Sequence, residues 1–116
     1  MITATFTKDT ENGRLSLKLS GHAGAAEAGR DIVCASASIL AYTVAQEAKN
    51  MESMNQLREA PIIRMDEGDA EITVCPRDGE DFSDALHTFY IAQVGYSLLA
   101  HNYPQYVELI KVRRKL

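Results

Sequence analysis

Two stretches near the start of the chain alternate strictly between apolar and polar residues. Over residues 2–8, Ile2, Ala4 and Phe6 share one face, opposite Thr3, Thr5 and Thr7. Over residues 14–20, Leu15, Leu17 and Leu19 stand opposite Ser16, Lys18 and Ser20. A period of two is that of a strand with one face on a core. Asn12-Gly13 between them readily supplies positive φ angles, so the chain is expected to open on a tightly turned β-hairpin. A second pair follows Pro61: Ile62, Ile63 and Met65 lead into a Glu67-Gly68-Asp69 turn, after which Ala70, Ile72 and Val74 alternate with Glu71, Thr73 and Cys75. Beyond Pro104, Tyr106 to Val112 reads as a last strand.

Between the hairpins the period lengthens. Val33, Ala37, Leu40, Val44, Ala48 and Met51 step by three or four, which predicts a helix over about 32–53 with Asp31 as its N-cap. A second helix is predicted over about 82–100, with Phe82, Leu86, Phe89, Tyr90, Val94 and Leu98 on its apolar stripe and Asp81 as its cap. Gly95 inside it costs about 1 kcal/mol against alanine, which close packing on a neighbour would explain. Residues 21–30, GHAGAAEAGR, hold three glycines and four alanines and read as a loop. The order ββαββαβ implies an α+β two-layer sandwich, with two helices packed on a mostly antiparallel sheet.

Composition narrows the setting. The 116 residues are 46% hydrophobic and 24% charged, enough for one domain, residues 1–116, with a single core. A net charge of −4 argues against direct nucleic-acid binding, which needs a basic surface. The opening MITATFTKDT is not a secretory leader, and no run approaches the ~20 apolar residues of a membrane span. A cytoplasmic protein is expected, with Cys34 and Cys75 as free thiols. Without a CxxC pair or a close histidine pair, neither a metal nor another cofactor is expected.

Chemistry concentrates in residues 21–38, GHAGAAEAGRDIVCASAS. With Asp31 as N-cap, Cys34 would lie in the first helical turn, where unpaired amides and the helix dipole favour a thiolate. Asp31 opposes this by like-charge repulsion unless its carboxylate caps the helix or orients His22. The intervening loop is long enough to fold back and bring the imidazole to the sulfur. A Cys–His pair has what amide cleavage needs, a thiolate to attack and an acid to protonate the leaving amine. Gly21 would allow a sharp turn beside the histidine. Ser38, one turn after Cys34, can donate a hydrogen bond, with Ser36 as the other candidate; the Cys34 amide is a candidate oxyanion donor.

These residues also carry a resemblance. Gly21-His22-Ala23, Gly29, Asp31-Ile32-Val33-Cys34-Ala35 and Ser38 resemble the signature of the ribosomal-processing cysteine proteases, and the similarity extends over essentially the whole chain. The resemblance implies a sequence-specific cysteine endopeptidase that removes the N-terminal extension of the precursor of large-subunit ribosomal protein L27. It implies Cys34 as nucleophile, His22 as base, Gly21, Asp31 and Ser38 as supporting residues, a homodimer, and no metal. The rival readings are a non-catalytic ribosome-associated binding module and a redox sensor that oxidises Cys34.

Half of the 16 acidic residues fall within 66–84, either a solvated surface or a patch that steers a basic ribosomal protein. Cys75, His87 and His101 read as structural, and the tyrosines as core or interface.

Overall fold

The leucines of the second strand occupy the middle of the sheet. In the computed structural model the elements run β1 (Ile2–Asp9), β2 (Arg14–Ser20), α1 (Ala28–Ser53), β3 (Ile62–Asp66), β4 (Asp69–Val74), α2 (Glu80–Asn102) and β5 (Val107–Arg114). The structure describes residues 1–22 and 28–115, and of residues 28–31 the backbone only. The five strands are ordered β3-β4-β2-β1-β5. Every neighbouring pair is antiparallel except β1 and β5, whose parallel register sets Ile2 against Val107. This is the expected α+β architecture.

Alternation does what it predicted. Ala4, Leu15, Leu17, Ile72 and Val74 are buried on one face, against Val33, Ala37, Ala41, Val44 and Ala48 of α1. Burying a leucine contributes about 1.5–3 kcal/mol, and Leu17→Ala would cost about 2–5 kcal/mol once the cavity is included. Phe6 meets Phe89 and Tyr96 of α2 edge-on, with ring centroids 6.4 and 5.8 Å apart. The first connection is longer than the expected two-residue turn. Pairing ends at Asp9 and Arg14, and residues 10–13 close the hairpin. Asp9 accepts bonds from the Asn12 side chain (2.9 Å) and amide (3.0 Å), which hold its carboxyl below the usual carboxylate range. Gly13 takes φ 65° there.

Both helices begin earlier than their expected caps. The first helix starts at Ala28, so Asp31 lies inside it and is not its N-cap. Alanine is the strongest helix former, and a single glycine at 29 costs about 1 kcal/mol, which a 26-residue helix carries. The expected loop over 21–30 is correspondingly shorter; its residues 23–27 lie outside the described residues. The helix ends where expected: Asn55 adopts φ 58°, while the amides of Asn55 and Gln56 return to the carbonyls of Glu52 and Met51. The second helix has Gly79 at its N-cap, with Glu80 and Asp81 in its first turn facing the positive dipole end. Its buried face is Ala85, Phe89, Ala92, Tyr96 and Leu99. Val94 and Leu98, expected on the core stripe, are instead 60% and 58% exposed. Gly95 does have the expected packing reason, since a Cβ there would come 2.7 Å from Leu40 of α1.

Candidate active site

The chain leaves β2 through Gly21, whose φ of 89° suits glycine and whose absent Cβ makes room for the Met1 carbonyl oxygen. The Gly21 amide donates to the Gly68 carbonyl at 2.9 Å, fastening the end of β2 to the β3–β4 turn. The next carbonyl, of His22, accepts from the Met1 ammonium at 2.5 Å. The backbone of His22 is thus held from two sides. Its imidazole rests on Gly68, where any Cβ would strike the ring, and Gly68 itself has φ 72°. One glycine serves both the turn and the histidine.

Cys34 arrives from the other layer. It is half-buried on α1, next to fully buried Val33 and one turn before buried Ala37. Tyr96 of α2 anchors this stretch: its hydroxyl, in the core, donates to the Ala37 carbonyl at 2.7 Å. Burial pushes the Tyr96 phenol well above the usual tyrosine range.

The elements enclose a cleft of about 410 Å³. Gly21, His22, Cys34 and Ser38 all line it, with Tyr42 and the hairpin tip Asp66–Asp69 as further walls and Ile2, Leu19, Met65 and Ala70 below. Four of the five expected site residues therefore share one cavity. The side chain of Asp31, and with it the expected orientation of His22, lies outside the described residues. Ser36 is turned to its own helix, its hydroxyl donating to the Ile32 carbonyl at 2.7 Å.

Two details correct the expected chemistry. Because α1 begins at Ala28, Cys34 stands in its second turn, and its amide has an acceptor within the helix. The Cys34 amide is therefore not an oxyanion donor here, and the dipole acts on the sulfur from a turn away. Moreover, among the described residues no hydrogen bond joins Cys34 Sγ to His22.

The acidic stretch is two groups. Asp66, Asp69 and Glu71 gather on the β3–β4 hairpin around Arg64, whose guanidinium lies 2.5 Å from Asp69, 3.7 Å from Asp66 and 3.6 Å from Glu71. Glu67 lies in the turn of the same hairpin, and Asp78, Glu80, Asp81 and Asp84 sit at or just before the start of α2. Cys75 is remote from the cleft: its buried thiol donates to Glu59 at 3.0 Å, and burial first, then that carboxylate, push the thiol up. Among the described residues no group of three or more His, Cys, Asp or Glu could hold a metal ion, and no helix is long and apolar enough to cross a membrane.

The sequence reading missed Gly68, Tyr42 and Met65 as parts of the cleft. Gly68 carried a turn signal, but its seat under His22 is a contact between distant segments that no local pattern reports.

A thiol and an imidazole brought to one cleft from separate elements are the parts of a cysteine hydrolase. The chain belongs to the family described as cysteine protease Prp, whose model matches residues 1–108, and it is a cysteine protease. Among solved structures it is similar to SMU.848 from Streptococcus mutans, with 30% identity, a TM-score of 0.70, and coverage of 98% of this chain and 96% of that one. It has the fold of the ribosomal processing protease Prp from S. aureus, seen with a covalently linked product peptide (24% identity, TM-score 0.70) and with a substrate peptide (23% identity, TM-score 0.67). Each of these covers 96% of this chain and 99% of the other. No curated protein matches the chain.

Proposed function

We propose that the whole chain acts as one cytoplasmic protease domain that removes the N-terminal extension of the ribosomal protein L27 precursor, with Cys34 as nucleophile and His22 as general acid and base. The observation that carries this is the convergence of Cys34 and His22 on one cleft from α1 and the end of β2. The peptides bound to the S. aureus protease support a peptide substrate.

The Cys34 thiolate attacks the scissile carbonyl while imidazolium of His22 gives its proton to the leaving amine. A thioester to Cys34 remains. Water, losing a proton to His22, then attacks that thioester, and the thiolate and the carboxylate product separate. The His22 backbone is fastened, so its ring reaches the sulfur by turning about side-chain torsions away from Gly68; catalytic hydrogen bonds commonly tighten only with substrate bound. Gly21 permits this backbone path. Ser38, exposed on the cleft wall, supports the bound peptide, and Asp31 supports His22. A second copy of the chain covers Ile91, Val94 and Leu98 on the outer face of α2, giving a homodimer.

The test is incubation of the precursor with wild type, Cys34→Ala and His22→Ala, read by mass spectrometry. Wild type should release the extension at one bond, and both variants should lose at least 10³-fold in rate, of the order expected when a nucleophile or its base is removed. Cleavage by Cys34→Ala at the wild-type rate would end the proposal.

A further inference from the structure

The catalytic cleft does not stop at Cys34. A groove of about 700 Å³ runs along α1 and β3, and it shares Tyr42 and Met65 with the cleft. Its apolar walls are Ile39, Tyr42 and Ala45 from the helix and Ile63 and Met65 from the strand, and Thr43, Gln46, Glu47 and Lys49 of the helix line it as well. Ile39 and Tyr42 are 62% and 55% exposed, unusual for large apolar side chains on adjoining turns.

The strand beside this groove is an edge. β3 pairs with β4 on one side, and among the described residues no strand pairs with the other. The β3–β4 register closes at Asp66 and Asp69 around a two-residue turn. In such a hairpin Asp66, Arg64 and Ile62 exchange backbone bonds with β4, while the amides and carbonyls of Ile63 and Met65 point away from the sheet. The same two residues direct their side chains into the groove. Backbone pairing and a largely apolar groove therefore coincide along one line that leads into the cleft holding Cys34.

We propose that this groove receives the substrate on one side of the scissile bond as an extended segment, which pairs with β3 as a sixth strand and sets apolar side chains against Ile39 and Tyr42 at every second position. This reading rests on the peptidase assignment of the cleft. It fits the dimensions: from Cys34 to Gln46, at the far end of the groove, α1 advances about 18 Å, the length of about five extended residues. Main-chain pairing gives affinity without sequence, and the alternate pockets add preference for apolar residues.

The experiment uses a fluorescently labelled synthetic peptide spanning the precursor junction, bound to Cys34→Ala protein and followed by anisotropy. Adding Ile39→Asp should weaken binding at least tenfold and adding Ile39→Leu should not, while active Ile39→Asp enzyme should show the loss in KM more than in kcat. Stepwise N-methylation of the peptide should weaken binding with a period of two on one side of the junction only. Equal binding by the Ile39→Asp protein, no detectable binding, or N-methyl effects without period two would overturn the inference. So would conversion of a dimer to a monomer by Ile39→Asp in light scattering, because the groove would then be a subunit interface. Groove-dependent binding without cleavage by wild type would uphold the groove and defeat the protease reading; cleavage with Ile39-independent binding would do the reverse.

Discussion

Replacing Tyr96 by phenylalanine should produce a stability difference that reverses sign with pH. At neutral pH the variant loses the hydrogen bond to the Ala37 carbonyl, the one polar contact of a side chain that is fully buried between α2 and α1. The ring contact with Phe6 survives, and the carbonyl keeps its helical partner, so the loss is that of a neutral hydrogen bond, about 1 kcal/mol. In alkali the order inverts. Burial raises the Tyr96 phenol in the folded state above its unfolded value of about 10. The unfolded chain then releases a proton that the native state retains, so ΔG of unfolding falls as pH rises above the unfolded value, by up to about 1.4 kcal/mol per pH unit. The stabilisation is whole below pH ~10 and is lost progressively above it. By pH ~11 the wild type has given up about 1.4 kcal/mol that Tyr96→Phe never held, enough to offset the lost hydrogen bond.

Urea unfolding of both proteins at pH 7, 9, 10, 10.5 and 11 measures this directly. The other four tyrosines are common to both proteins and cancel in the difference. A gap of about 1 kcal/mol that closes or reverses near pH 11 is the expected result. A gap constant from pH 7 to 11 would show that the phenol does not stay protonated in the core, and the account of how α2 anchors the Cys34 helix would fail.

Gly68→Ala should cost about 1–2 kcal/mol for its positive φ and also lower kcat/KM, because the new methyl group displaces His22; thermal unfolding and peptide cleavage read the two effects separately. Adding Leu40→Ala to Gly95→Ala should relieve the contact between them, giving a coupling of at least about 0.5 kcal/mol in a double-mutant cycle; strict additivity would deny the close approach of the helices. A thiol reagent at pH 8 should label one cysteine, Cys34, in the native protein and both in denaturant, since Cys75 is 5% exposed and its thiol is pushed up; rapid native labelling of Cys75 would contradict its burial.

Strand patterning was legible because each hairpin buries one face, so a period of two names the inward residues without ambiguity. The second helix was not. Its buried face includes Ala85 and Ala92, which carry little hydrophobic signal but let the helix approach its neighbours, while the bulky Val94 and Leu98 face outward. A reading that follows large side chains takes the wrong stripe. Helix starts failed differently: Asp31 and Asp81 are plausible caps chemically, yet helix continues upstream of both. The parallel pairing of β1 with β5 joins the two ends of the chain and has no local mark. At the site, Gly21, His22, Cys34 and Ser38 could be named from one short segment. The opposite wall could not, because it comes from a hairpin whose own sequence reports only a turn.

That difference bears on what activates the sulfur. Even in the first turn of a helix, the dipole typically contributes about 0.3–1 kcal/mol to an exposed charge. Cys34 sits a turn further in, where the effect has largely decayed. Under the proposed mechanism the charge that serves the sulfur is therefore the His22 imidazolium rather than the helix dipole. Since the His22 backbone is fastened at Gly21 and Met1, in that mechanism the ring reaches Cys34 by leaving Gly68 through its side-chain torsions. A peptide entering the cleft between the hairpin tip and α1 would meet that ring directly, which in the proposed mechanism would couple occupation by substrate to the arming of the site.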